Sequence, residues 1–321
     1  MRKFNLSFIL LSIMILISCS KLIKPIDDSL EEDRVRLNVS IPIQNTKAGT
    51  DASIESVQIY VFRSVGGELD AYAKSNTSTV EMSCTIGNKE IVALVNAPDI
   101  PGAANKTALL NMVSDLKHNK PTALVMVGET TKDITGSTAV SITVTRLAAK
   151  ISLSKISKDF ASPYYQKEDM KILEVFLVNS VGSVKYSGTE ILTEWYNKTA
   201  FVSNAAVNQL LYKDVNPDVV ISTTPHTGEY TFYTYPNSTS KETSDNKFTR
   251  LVVKLSILGE EYYYPISFEG GIESNKTYDI TNLTITRPGS DSPDKPITSY
   301  DANFTITVKD WEVGSSIDET I

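Results

Sequence analysis

The chain is poor in cysteine and histidine, carries no excess of positive charge, and holds no apolar run long enough to span a membrane. Cys19 and Cys84 are the two cysteines among 321 residues, too few for a disulfide framework, so stability must come from a packed core. His118 and His226 are the two histidines. They form no H-x-x-x-H pair and no Cys/His cluster, and no G-x-S-x-G elbow occurs. That removes the usual zinc sites and the serine-hydrolase signature. Asp291 and Asp294 lack the ligand spacing and turn glycine of a calcium loop. The sequence therefore points away from an enzyme, with no catalytic residue, no metal ligand and no cofactor expected. Acidic residues outnumber basic ones by 38 to 31, and no Lys/Arg cluster is interleaved with aromatics. Nucleic acid is excluded as a partner, because phosphate binding needs a basic patch.

What is present begins with a leader. Met1-Arg2-Lys3 precedes an apolar stretch over residues 4–17, interrupted by Asn5, Ser7 and Ser12 and closed by Ser18-Cys19. A charged start, a short apolar centre and a small-residue exit describe a secretory signal; a spanning helix needs about 18 apolar residues or more. Leu16-Ile17-Ser18-Cys19 resembles a bacterial lipobox, with Cys19 as the acylated residue. Acyl chains on Cys19 would hold the protein on a membrane, each buried CH₂ contributing roughly 0.8 kcal/mol. The expected division is a signal peptide at 1–19, a propeptide at 20–47, and two domains at 48–163 and 164–321, joined near residues 160–163.

Most of the remainder reads as strand. Val, Ile, Thr and Tyr recur at period two, with Gly, Pro, Asn and Asp between the runs. Residues 56–62 alternate, and Val65-Gly66-Gly67-Glu68 follows as a hairpin turn. Residues 90–96 form a continuous apolar run, as a strand covered on both faces requires. Further strands are expected at 123–127, 139–145, 149–153, 172–179, 230–235, 248–258, 261–268, 278–286 and 304–309. One helix is expected over 106–118, capped by Asn105, with Leu109, Leu110, Met112, Val113 and Leu116 on one face; a weaker one is expected over 189–195. Residues 237–246 contain no apolar side chain and read as a polar loop. Cys84 lies in a strand-like segment and reads as a buried thiol rather than a nucleophile.

Two segments suggest exchange between chains. Val35, Leu37, Val39, Ile41 and Ile43 alternate with Arg36, Asn38, Ser40 and Pro42, a half-buried strand of ~30 Å. Pro42 donates no ladder hydrogen bond, which places the strand at a sheet edge or ends it there. The small, polar stretch Asn45-Thr46-Lys47-Ala48-Gly49-Thr50-Asp51 follows, with Lys47 suited to a trypsin-like protease. Cutting between Lys47 and Ala48 frees the strand and leaves an apolar groove with unpaired backbone, the acceptor of strand addition. The opposite end, with Trp311, Val313, Ile317 and Ile321, is a candidate donor or, equally on its pattern, a frayed terminus.

At this point the chain resembles the FimA/Mfa-type fimbrillins, the type V pilins of Bacteroidales. The resemblance is carried by residues 276–290, from Lys276-Thr277-Tyr278 to Pro288-Gly289-Ser290, by Pro293-Asp294-Lys295-Pro296-Ile297 and by Val308-Lys309-Asp310-Trp311. Thr46-Lys47-Ala48, residues 54–62, Val95-Asn96-Ala97-Pro98 and Arg146-Leu147-Ala148-Ala149-Lys150 add to it. It implies a mainly β protein of two β-sandwich domains, transthyretin-like and Greek-key, with one or two short helices. It also implies export as a lipoprotein to the outer membrane, proteolytic maturation after the first strand, and head-to-tail assembly with copies of itself and other subunits into an extracellular fimbrium. The family's processing residue is usually arginine; here Lys47 stands in its place. A stalk subunit is the expected role. The alternatives are a tip or accessory adhesin that binds a host or bacterial surface ligand, and a non-polymerising glycan-binding lipoprotein.

Overall fold

The structure, a computed structural model, describes residues 33–42, 53–298 and 300–311. The fold is mainly β. In chain order the strands are β1 (Arg34–Ser40), β2 (Val57–Arg63), β3 (Leu69–Ser75), β4 (Thr79–Thr85), β5 (Gly87–Val95), β6 (Val113–Asp115), β7 (Met126–Ile134), β8 (Thr138–Ser141) and β9 (Thr145–Arg146). They continue as β10 (Ala149–Lys158), β11 (Met170–Val178), β12 (Ser180–Lys185), β13 (Glu190–Tyr196), β14 (Tyr212–Ile221) and β15 (His226–Thr234). The last four are β16 (Arg250–Ile257), β17 (Glu260–Ser267), β18 (Lys276–Ile285) and β19 (Ala302–Asp310). Three short helices, α1 (Lys106–Leu110), α2 (Pro163–Gln166) and α3 (Asn208–Leu211), interrupt them.

Two sheets make the first sandwich: β4-β1-β8 and β3-β2-β5-β7-β9. Their facing side chains form one apolar cluster, with Leu37, Val39 and Ile41 from the small sheet against Val57, Ile59, Val61, Ile91 and Ala93 from the large one. The large sheet is covered on both faces, as its continuous apolar runs require. Tyr60, Phe62, Val92 and Leu94 point the other way, into a second cluster that continues through the second sandwich. That sandwich consists of β15-β10-β18-β19 and β14-β11-β16-β17.

Strand membership changes between Arg146 and Ala149. β9 pairs with β7 of the first sandwich, whereas β10 already pairs with β15 and β18 of the second. Residues 160–163 thus connect β10 to β11, two strands of the same sandwich. The two sandwiches are also stitched by a small sheet, β13-β12-β6, in which β6 comes from the first half of the chain. Beside it Tyr235 is a buried hub: its hydroxyl meets Ser114 Oγ at 2.7 Å and accepts from Asn119 Nδ2 at 2.9 Å.

Both expected helices are corrected. Asn105 does cap a helix, accepting from the Ala108 amide at 2.8 Å, but that helix stops at Leu110. Residues 113–115 are drawn into a ladder with β12 instead. Asp115 then caps a separate single 3-10 turn over Leu116–His118. Residues 190–195 belong to β13 rather than to a helix, because Gly188 at φ +85° and the Lys185–Thr189 hydrogen bond close a hairpin with β12. In both places tertiary pairing overrides a local helical pattern. The expected hairpin at 65–68 is present, with Gly66 and Gly67 at φ +89° and +77°, a region other residues enter at a cost.

Candidate assembly site around the first strand

β1 runs antiparallel to β4, with Val35 opposite Cys84 and Leu37 opposite Met82, and parallel to β8, with Leu37 opposite Thr138. It therefore lies in the middle of its sheet rather than at an edge, and of the two alternatives that Pro42 left, the strand ends there, at Ser40. Pro42 is compatible with this because it follows the last paired residues: Ser40 still accepts from Ile142 and the Ile41 amide still donates to Ser78. Leu37, Val39 and Ile41 are buried, at 0, 1 and 2 % exposure, and Val35 is half-buried against the same cluster. Each such side chain contributes roughly 1.5–3 kcal/mol by leaving water. Taking β1 away would open a slot with two free edges, β4 and β8, above an apolar floor.

The outward face of β1 is less uniform. Arg36 is exposed, and Asn38 and Ser40 are half-buried. Arg34 reaches across the sandwich: its Nη2 donates to the main-chain oxygens of Ser83 (2.8 Å) and Asp70 (3.1 Å), and its Nη1 stands 3.7 Å from Asp70 Oδ1. The Asp70 side chain is 1 % exposed and the Lys89 side chain 3 %, with 3.1 Å between their charged atoms. Asp70 Oδ2 also accepts from the Thr85 amide and hydroxyl, at 2.9 and 3.1 Å. Burial pushes the Asp70 carboxyl up, but the hydrogen bonds from Lys89 and Thr85 and the Lys89 charge outweigh it. The net position is below the usual carboxylate range. The sequence pattern pointed to β1 by its apolar face alone and missed this cluster, since Arg34, Asp70, Thr85 and Lys89 meet only through sheet pairing.

Cys84, on β4 in the wall of the slot, is fully buried, and burial raises its thiol pKa, as its strand setting suggested. Trp311 is packed within its own chain: it is 6 % exposed, its amide donates to Asn275 O at 3.1 Å, and Arg146 stacks on its ring at 4.4 Å. Tyr233 lies parallel to it at 5.9 Å. Cys19, Ile43, Lys47, Ala48, Val313, Ile317 and Ile321 lie outside the described residues. The two histidines have separate partners. His118 Nδ1 accepts from the Asp115 amide at 3.1 Å and His226 Nε2 sits 3.0 Å from the Tyr230 hydroxyl; burial lowers the pKa of each. Among the described residues no group of His, Cys, Asp and Glu could hold a metal ion, and no helix is long and apolar enough to cross a membrane.

Solved structures share this arrangement of strands over most of its length. A fimbrillin (FimA) from Porphyromonas gingivalis superposes with a TM-score of 0.66 at 15 % identity, covering 88 % of this chain and 99 % of its own. A cell-adhesion-type protein from Bacteroides eggerthii gives 0.65 at 20 %, covering 87 and 96 %. This is the fold of a Bacteroidales fimbrillin. The tip fimbrial protein Mfa3 from Porphyromonas gingivalis shares the fimbrillin fold at a TM-score of 0.51 and 14 % identity, covering 87 % of this chain and 100 % of its own. No family model matches the sequence, and no curated protein matches it either. Backbone arrangement thus carries the likeness, since the identities are too low for side-chain chemistry to be transferred.

Proposed function

We propose that this protein is a structural subunit of a surface fimbria that polymerises by strand exchange. The observation that carries the reading is β1 itself, an inserted strand whose apolar row fills the core of the first sandwich between β4 and β8. Ten residues separate Pro42 from Ser53, and Lys47 is among them. A trypsin-like protease acting there would detach β1 from the folded body by a single cut. Before the cut, lipid on Cys19 holds the precursor at the outer membrane; after it, the subunit joins an extracellular fimbrium. The incoming strand comes from a second copy, from the segment following Trp311, where Val313, Ile317 and Ile321 recur every fourth residue and so fall on one face of an extended strand, with Ser315 and Glu319 between them. Trp311 is then the anchor from which that segment departs rather than part of the donor. A structural role of this kind needs neither cofactor nor catalytic residue.

The N-terminal residue of the protein recovered from the cell surface tests the reading. Ala48 is expected, and a mature chain that still begins at lipidated Cys19 would overturn it. Mature protein should form ladders that survive mild SDS, and deletion of residues 312–321 should abolish them. A tip adhesin is favoured by one separate observation. A cavity of about 520 Å³ at the far end of β10 is lined by Phe160, Ser162, Tyr165, Thr286 and Arg287, a size suited to a small ligand such as a host or bacterial surface glycan. Chains that bind glycans but never form ladders would favour this second reading.

A further inference from the structure

β1 carries two arginines on its outward face, two residues apart, and they differ in what they touch. Arg36 is exposed and has no hydrogen-bond or ionic partner among the described residues. Arg34 is tied to the next strand of its own sheet, through Ser83 O of β4, and to the opposing sheet, through the main chain and carboxylate of Asp70 on β3. Asp70 Oδ1 has no hydrogen-bond partner although it is buried; its nearest cationic atoms include Arg34 Nη1 and Arg63 Nη2, each at 3.7 Å. Oδ2, by contrast, is fully engaged by Thr85 and Lys89.

We propose that Arg34 and Asp70 form a latch that retains the resident strand in its slot and distinguishes it from the strand that replaces it. The inference rests on the strand-exchange reading and adds the residue that governs the exchange. Three features support it. First, Arg34 is the residue of β1 whose side chain crosses to the opposing sheet by charge, so it also opposes a slip of two residues, which would keep the same apolar face buried. Second, the latch is releasable. When Arg34 leaves, Asp70 keeps Lys89 at 3.1 Å and Arg63 at 3.7 Å, so no buried carboxylate is left uncompensated and the slot survives the loss. Third, residues 312–321 contain Glu312, Asp318 and Glu319 and no Lys or Arg. A donor strand from that segment cannot reproduce the contact. The uncut chain therefore holds its own strand by an interaction that no tail of another copy can match, which keeps the slot closed until the cut.

Cys84, on β4 beside β1, opposite Val35 and fully buried in the same core cluster, reports the opening of the slot. In the full chain carrying Cys19→Ser, Arg34→Gln should raise the rate of Cys84 alkylation about three- to tenfold, the range expected for losing a partly exposed charged hydrogen-bond set. Arg36→Gln should leave the rate at the wild-type value, and Arg34→Lys should fall between the two. Equal rates for Arg34→Gln and Arg36→Gln would overturn the latch, and so would a faster rate that arises from global unfolding, seen as a shared fall in thermal midpoint. After the cut at Lys47, Arg34→Gln chains should form ladders faster than Arg36→Gln chains; equal speeds would overturn the role in exchange. If wild-type chains form no ladders, strand exchange itself is refuted, and the alkylation rates still decide the latch.

Discussion

The slot of β1 and the surroundings of Arg250 hold their parts by opposite means. β1 is retained by two backbone ladders, three buried aliphatic side chains and one ionic contact at its end. Arg250, on β16, has a side chain with no exposure, and it binds Glu242 at 2.6 Å, Asp294 at 2.5 Å and Ser267 Oγ at 3.0 Å. Asp294 in turn accepts from Asn179 Nδ2 at 2.9 Å. That network ties the polar loop 237–246 and the segment around Asp294 to the second sandwich. An apolar slot asks of its occupant only alternation and volume. A buried charge asks for named partners at fixed positions, and is costly without them. Exchangeability belongs to the first kind of site, permanence to the second.

The contrast can be broken from either side. Arg250→Ala should have the largest effect, destabilising the chain by about 3–5 kcal/mol because two carboxylates lose a buried counter-charge; Arg250→Met should cost less, since it refills the volume. Chemical denaturation of the full chain measures both, and a cost for Arg250→Ala below that of a surface substitution would refute the structural role of the Arg250 network. Leu37→Ala should cost about 2–4 kcal/mol, and the loss should be local. Hydrogen exchange should rise in β1, β4 and β8 while β11 and β16 keep their protection. Uniform loss of protection would mean that β1 is as integral as the second sandwich.

Acid provides the mildest test. The Asp70 carboxyl titrates below its unfolded value, so its contribution is complete above about pH 4 and disappears as pH falls through its folded pKa. His118 and His226 also titrate below their unfolded values, and they weaken the fold as pH drops below about 6.5. Stability should decline slightly towards pH 5 and more below pH 4, where Cys84 alkylation, corrected for thiolate fraction, should accelerate ahead of global unfolding. Alkylation that tracks global unfolding at every pH would remove Asp70 from the retention of β1.

Strand existence was legible wherever one face is buried, as in β1, or both faces, as in β5, because burial imposes a period of two or a continuous run. Position within a sheet was not. Pro42 left open an edge or a strand end, and β8, a strand of four residues, arrives from a hundred positions downstream to flank β1, so only the end is found. Residues 237–246 read as a polar loop, and within it Glu242 and Asn237 are partners of Arg250 and Thr249. Helical spacing over 106–118 was real but lost to the ladder between β6 and β12.

Alternation, turn residues and the absence of ligand clusters are local properties, so the sequence by itself determined a β-rich, core-stabilised chain that opens with a half-buried strand. Sheet order is not local. Only the tertiary structure decided that β1 is central rather than peripheral, and that Arg34, Asp70 and Lys89, far apart along the chain, meet at one end of its slot. Pairing between distant strands depends on which partner buries more apolar surface and satisfies more backbone groups, and no window of sequence contains both partners.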